Sequence, residues 1–155
     1  MGKDQKKTGR KIYQMKIIDN FLKKEDIEDL KGIVLNEGFP WYMNDGVTWP
    51  GDGHIQFTHQ IYKDDKFTSP YTLGGLDIFK KQLKFEKILR AKFNLLQKTP
   101  DIIEHPFHTD LVEPDKDVKT AILYLNTNNG YTKFLNGEKV ESIENRLVVF
   151  EGGME

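Results

Sequence analysis

The fold class follows from residues 120–150, which read TAILYLNTNNGYTKFLNGEKVESIENRLVVF. Residues 120–126 form an apolar run of the kind found in a buried strand. Asn129-Gly130 and Asn136-Gly137 are strong signals for tight turns between antiparallel strands. The strands that these turns predict are residues 131–135, 139–143 and 146–150. This part of the chain is therefore predicted to be a series of short antiparallel strands.

The residues before this stretch predict helices mixed with further strands. Residues 23–35 and 76–83 place apolar side chains at helical spacing and predict two helices. Residues 39–53 combine aromatic residues, prolines and glycines, as an ordered loop does. The remaining strands are predicted at residues 11–21, 55–62 and 85–96. We expect an α+β fold: a double-stranded β-helix (a jelly-roll or cupin-like core) with the N-terminal helices packed on it.

Length and composition limit the class of protein. The 155 residues suffice for one ordinary domain, so residues 11–155 are predicted to form a single domain after a disordered segment at residues 1–10. The 23 basic and 24 acidic residues nearly cancel, which gives no electrostatic argument for a nucleic-acid or membrane partner. The absence of cysteine excludes disulfides and thiolate metal sites. Because no apolar run is long enough to cross a bilayer, we expect a cytoplasmic protein.

The segment EHPFHTD, residues 104–110, carries the strongest chemical signal in the chain. Side chains two residues apart in a strand share a face, so His108 and Asp110 are predicted to bind one ion from the head of a strand. A histidine and a carboxylate are two-thirds of the facial triad that holds non-haem Fe(II). The alternative is a surface histidine hydrogen-bonded to a neighbouring aspartate. His54 and His59 precede this segment and are interpreted as loop or surface histidines.

Four stretches, taken in order, resemble the Fe(II)- and 2-oxoglutarate-dependent dioxygenases, specifically the prolyl-4-hydroxylase-like branch with its small marine bacterial and phage members. FHTD at residues 107–110 is similar to the family's first metal-ligand motif, and TAILYLN at residues 120–126 to the strand that follows it. NGYTKF at residues 129–134 resembles the family's glycine-rich turn and strand. NRLVVFEGG at residues 145–153 is similar to the strand that leads to the distal histidine.

The resemblance implies an enzyme and a set of site residues. His108 and Asp110 would be iron ligands, while Tyr124, Thr132 and Asn94 would line the cosubstrate pocket. Each of these last three also has an ordinary explanation: a core aromatic residue, a β-branched strand residue and a solvent-facing strand residue, respectively. The cofactors implied are Fe(II), 2-oxoglutarate and O2, with ascorbate as an optional reductant. The implied reaction is hydroxylation of a C–H bond in a peptide or protein (prolyl-type) substrate or a small molecule.

Two features of the family are missing before residue 155. The distal histidine is expected within a few residues of Gly153, and a carboxylate-binding Arg or Lys about one strand later; neither occurs. We therefore expect a piece of a longer protein that lacks C-terminal strands, binds iron weakly and turns over little substrate. The strand edge left open would permit self-association. The alternative function is a non-catalytic jelly-roll binding module.

Overall fold

The computed structural model of the protein describes residues 14–71, 76–109 and 117–151. Within these ranges the helices are α1 (Lys24–Val34) and α2 (Leu76–Leu83). The strands in the same ranges are β1 (Met15–Ile18), β2 (Tyr42–Asn44), β3 (Gln56–Lys63), β4 (Lys66–Phe67), β5 (Arg90–Leu96), β6 (Lys119–Leu123), β7 (Tyr131–Lys133), β8 (Lys139–Glu141) and β9 (Leu147–Glu151). These strands pair in antiparallel fashion. The predicted α+β class is confirmed.

The described residues divide into two compact units. Residues 14–23, 107–109 and 117–151 form the first, called the β9 unit after its central strand. Residues 24–71 and 76–106 form the second, called the β3 unit. The single domain over residues 11–155 stays a prediction, and the segment predicted to be disordered, residues 1–10, lies outside the described ranges. Neither helix in those ranges is long and apolar enough to span a membrane.

The β9 unit is built on a sheet in which β9 lies between β1 and β6. Val148 and Phe150 of β9 are fully buried in one apolar cluster with Phe134 and Val140 from the β7–β8 hairpin. The rings of Phe134 and Phe150 meet edge to face, with centroids 5.0 Å apart. Tyr124 is partly buried and packs against this cluster, so its side chain points toward the core of the β9 unit.

Asn145 ties the start of β9 to the segment that follows β1. Its φ of 61° lies in the left-handed region, which asparagine tolerates better than most residues. Its side-chain oxygen accepts the Leu22 N–H at 2.9 Å, and its side-chain nitrogen donates to the Leu22 carbonyl at 2.8 Å. Its own N–H donates to the Tyr124 carbonyl at 2.8 Å. One buried side chain thus joins two points 123 residues apart in sequence.

β1 is shorter than the strand predicted at residues 11–21. It pairs with β9 over four residues. Asn20 then adopts a left-handed φ of 51°, a conformation that cannot continue a strand. Residues 11–13 lie outside the described ranges.

The β3 unit is organised around β3, which pairs with β2, β4 and β5. Phe39 is 5% exposed, and its ring contacts those of Trp41, His59, Tyr71 and Phe93 at centroid distances between 4.5 and 5.7 Å. β5 begins later than the predicted residue 85 because its partner β3 ends opposite the first residue of β5. Backbone groups beyond that point have no partner strand to pair with.

The two helices agree with the sequence prediction. Ile27, Leu30 and Val34 form the buried face of α1. Acidic residues occupy its first turn and Lys31 its last turn, which complements the helix dipole. α2 has the predicted bounds.

His59 is only 3% exposed within β3, so its interpretation as a loop or surface histidine is wrong. Its Nδ1 lies 2.6 Å from the carbonyl oxygen of Pro40, and its Nε2 lies 2.6 Å from the hydroxyl of Ser69. A carbonyl can only accept, so in the neutral ring Nδ1 donates and Nε2 accepts from Ser69. The Ser69 oxygen also accepts the Tyr71 N–H at 3.1 Å. The buried ring therefore links β3 to two loops.

Candidate functional site

The structure places only one member of the predicted iron pair. His108 is half-buried, and residues 102–109 form neither helix nor strand, so the prediction that it heads a strand is wrong. Pro106 has no backbone N–H to contribute to a strand ladder, which disfavours pairing here. Asp110 lies outside the described residues, so the geometry of the pair stays a prediction.

The segment that carries His108 lies beside β7. Phe107, the preceding residue, is 48% exposed, and Lys133 Nζ lies 6.0 Å from the centroid of its ring. This distance is at the outer limit of a cation–π contact. Lys133 is the neighbour of Thr132 in β7. Because successive side chains of a strand point to opposite faces, this contact places Phe107 near the face of β7 that carries Lys133, not the face that carries Thr132.

Tyr124 and Thr132 are brought together directly. Tyr124 Oη lies 2.6 Å from Thr132 Oγ1, and it lies 3.5 Å from the Val140 carbonyl oxygen. Thr132 lies directly opposite Val140 in the β7–β8 hairpin. The Tyr124 hydroxyl therefore lies close to both residues of this cross-strand pair. Both hydroxyls are half-buried, and either one can donate to the other.

Arg146 is a backbone neighbour of Tyr124, whose N–H donates to the Arg146 carbonyl at 3.0 Å. Arg146 donates to Asp19 through Nε at 2.6 Å and Nη2 at 3.0 Å, a bidentate pair. The hydrogen bond lowers the pKa of Asp19 and raises the pKa of Arg146. Glu141 and Tyr124 add smaller electrostatic contributions that also raise the pKa of Arg146. The sequence reasoning did not single out Arg146, because an arginine at the start of a strand has no distinctive pattern.

The third predicted cosubstrate residue, Asn94, belongs to the β3 unit. It lies on β5 opposite Thr58 of β3, and it is exposed. Alternate residues of a strand share a face, so Asn94 stands on the same side of the sheet as Lys92. Its assignment to the cosubstrate stays a prediction.

The loop of residues 45–54 carries an arrangement that the sequence reasoning missed. One carboxylate oxygen of Asp52 accepts the N–H groups of Val47, Thr48 and Trp49 at 2.8 to 3.4 Å, and the other accepts that of His54 at 2.9 Å. Chiefly through the bond from Thr48, these donors lower the pKa of Asp52 from 3.8 to about 2. The sequence signal for this loop is only the turn-forming Asp-Gly pair at its end.

No group of three or more His, Cys, Asp or Glu side chains in the described ranges is arranged to hold a metal ion. Comparisons of the chain with models of protein families, with curated proteins and with solved structures gave no match.

Proposed function

We propose that the protein is an Fe(II)- and 2-oxoglutarate-dependent oxygenase of the prolyl-4-hydroxylase-like type. The observation that carries this proposal is the 2.6 Å contact between the hydroxyls of Tyr124 and Thr132. The family resemblance assigns both residues to the cosubstrate on sequence alone. Eight positions separate them in the chain, and the fold brings their two hydroxyls within hydrogen-bonding distance of each other, as binding of one carboxylate by both would require.

The hydroxyl pair fits a carboxylate. Each hydroxyl can donate one hydrogen bond, so Tyr124 and Thr132 together can satisfy the two oxygens of one carboxylate group. A buried carboxylate also needs nearby positive charge, and the guanidinium of Arg146 is already paired with Asp19. Tyr124 and Thr132 would hold and orient the distal end of 2-oxoglutarate.

His108 and Asp110 would hold the iron. When bound, iron supplies the O2 activation needed to hydroxylate a C–H bond. This assignment rests on the resemblance of residues 107–110 to the family's first metal-ligand motif. The half-buried wall formed by the β7–β8 hairpin would limit water access to the reactants.

The remaining expectations form part of the same proposal. The sheet β1–β9–β6 and the β7–β8 hairpin would belong to a double-stranded β-helix, with the helices packed on it. The substrate would be a peptidyl, prolyl-type side chain, and the protein would be cytoplasmic. The outer strands of the described β9 sheet, β1 and β6, offer edges for self-association, which light scattering measures as a rise in mass with concentration.

Anaerobic calorimetric titration with 2-oxoglutarate in the presence of Fe(II) tests the site. Tyr124→Phe and Thr132→Val each remove one hydroxyl from the pair, and we expect each to weaken binding about tenfold, as loss of a hydrogen bond to a charged group does. Tyr131→Phe removes a hydroxyl from the same hairpin and is the matched control, with unchanged affinity. His108→Ala should abolish the dependence of binding on Fe(II) and any iron-dependent release of succinate.

The outcomes separate the two candidate functions. Full affinity in both hydroxyl variants, or an unchanged dependence of 2-oxoglutarate binding on Fe(II) in His108→Ala, contradicts the site assignment. An unaltered fold without any 2-oxoglutarate binding favours the non-catalytic binding module.

A further inference from the structure

A cavity of about 280 Å³ lies within the β3 unit, lined by one face of its sheet and by the loop of residues 45–54. The sheet contributes side chains from alternate positions of β3 (Gln56, Thr58 and Gln60) and of β5 (Arg90 and Lys92). Gln60 and Lys92 are directly opposite each other in the β3–β5 ladder, so all of these side chains stand on one side of the sheet. The volume suits a small molecule.

The loop that forms the other wall is preformed. Its turn is held by the four N–H groups that Asp52 accepts. Gly46 lies so close to the Trp49 carbonyl that a Cβ there would overlap it. Gly51 has a φ of 77°, which glycine adopts without strain. A wall fixed in this way loses little conformational entropy when a ligand binds.

The chemistry of the lining favours an anion. The residues that line the cavity include two cationic side chains, Arg90 and Lys92, and one carboxylate, Asp45. Two cations at alternate positions of a rigid strand can bind the same oxyanion, and the arginine fork matches a carboxylate or phosphate in a bidentate manner. Trp49, 52% exposed, lines the cavity from the loop and offers an aromatic face to a planar group.

An unsatisfied polar atom points independently to a ligand. The hydroxyl oxygen of Thr48 is buried and has no hydrogen-bond partner among the residues that the structure describes, yet buried hydroxyls are almost always bonded. Thr48 lines the cavity, as does Gln56, which is only 8% exposed. Both side chains can donate to an oxyanion or to a polar substituent next to it.

We propose that this cavity binds a small organic anion through its carboxylate or phosphate group. Arg90 and Lys92 hold the anionic group, Thr48 and Gln56 donate hydrogen bonds, and Trp49 covers the remainder of the molecule. This site is separate from the pair formed by Tyr124 and Thr132 and does not depend on the proposed oxygenase function.

Calorimetric titration of the whole chain at low salt tests this site with four probes: inorganic phosphate, citrate, AMP and adenosine. Adenosine is the neutral counterpart of AMP, and citrate separates a carboxylate preference from a phosphate preference. We expect at least one of the three anions to bind with a Kd below about 1 mM. If AMP binds, adenosine should bind at least tenfold more weakly than AMP. Added salt should weaken the binding.

Substitutions locate the binding. Arg90→Gln and Lys92→Gln should each reduce the affinity about tenfold, whereas Lys98→Gln, the same change on an exposed lysine of the β3 unit outside the cavity lining, should not. Thr48→Val should reduce the affinity without lowering the melting temperature, because the hydroxyl it removes is bonded to no described residue. Tyr124→Phe should leave this binding unchanged.

Three results overturn the proposal: no binding by any of the three anions, unchanged affinity in both Arg90→Gln and Lys92→Gln, or equal affinity for AMP and adenosine when AMP is the only anion bound. If Arg90→Gln fails to fold, Lys92→Gln and Thr48→Val decide the question on their own.

Discussion

The β9 unit and the β3 unit are held together by different kinds of contact. The β9 unit has a cluster of four apolar side chains from β9 and the β7–β8 hairpin, and each of these side chains is at most 1% exposed. The β3 unit buries polar groups near its aromatic rings: His59 and Ser69 are both buried, and the Ser69 hydroxyl is hydrogen-bonded to His59 Nε2. α2 in the same unit buries none of its residues. The central cluster of the β9 unit is thus purely apolar, whereas the aromatic cluster of the β3 unit includes a hydrogen-bonded polar pair.

The largest expected effect comes from comparing the loss of unfolding free energy in Phe150→Ala, in the β9 unit, with that in Phe39→Ala, in the β3 unit. Phe150 is fully buried in the apolar cluster of the β9 unit. Because the surrounding strands cannot move to fill the cavity that Phe150→Ala would leave, we expect this substitution to lower the unfolding free energy by about 3–5 kcal/mol. Phe39 packs partly against loop residues such as Trp41 and Tyr71, which can relax, so we expect about 2–3 kcal/mol. Urea denaturation measures both. A larger cost for Phe39 would contradict the comparison.

Asn145→Ala should give the next largest effect. The change leaves the buried N–H and carbonyl of Leu22 without their side-chain partners and puts alanine at a left-handed φ, for an expected loss of about 2–4 kcal/mol. Asn145→Gly loses the same hydrogen bonds but adopts this φ without strain, so it should be less destabilising than alanine by about 1 kcal/mol. Denaturant midpoints of the two variants provide the measurement.

Asn126→Ala is the control for this pair, since Asn126 is exposed and its replacement should change stability by less than about 0.5 kcal/mol. If Asn145→Gly proves as destabilising as Asn145→Ala, the left-handed backbone contributes nothing measurable, and the hydrogen bonds to Leu22 account for the whole effect.

The same contrast explains what the sequence could predict. Strand β9 and helix α1 are predictable from sequence because buried elements leave a direct apolar pattern. In β9 this pattern is the run LVVF, and in α1 it is a stripe of apolar residues at helical spacing. Asn145 and His59 carry no such signal, since their roles depend on partners up to 123 residues away. Family resemblance indicates Tyr124 and Thr132 as separate residues but not the hydrogen bond between them, and the cavity near Arg90 needs the β3–β5 register, which a single sequence does not reveal.

Ser69→Ala should have a smaller effect, on the polar part of the β3 unit. It removes the donor to His59 Nε2 and the acceptor of the Tyr71 N–H, which leaves polar groups without a partner at an expected cost of about 1–2 kcal/mol. Thermal unfolding measures the change.

Thr68→Ala is the matched control for Ser69→Ala, because it removes a hydroxyl from the adjacent residue. The Thr68 hydroxyl donates to the Gln60 carbonyl at 3.0 Å in an exposed position, where water can replace it, so the expected change is below about 0.5 kcal/mol. Equal stability of the two variants would mean that the hydrogen bonds of Ser69 to His59 and Tyr71 contribute nothing measurable.

Acidification should give the smallest and most local effect, at the loop around Asp52. Because its folded pKa is lowered from 3.8 to about 2, the carboxylate contributes stability that is fully present above about pH 4 and is lost as the pH falls through about 2. Protonation removes the charge that the N–H groups of Val47, Thr48 and Trp49 bind. Amide NMR shifts of these residues should therefore titrate near pH 2, and Asp52→Asn should show altered shifts at neutral pH with no such titration. A midpoint at or above the ordinary value of 3.8 would mean that the loop does not stabilise the carboxylate, and the preformed wall of the anion cavity would then lose its physical basis.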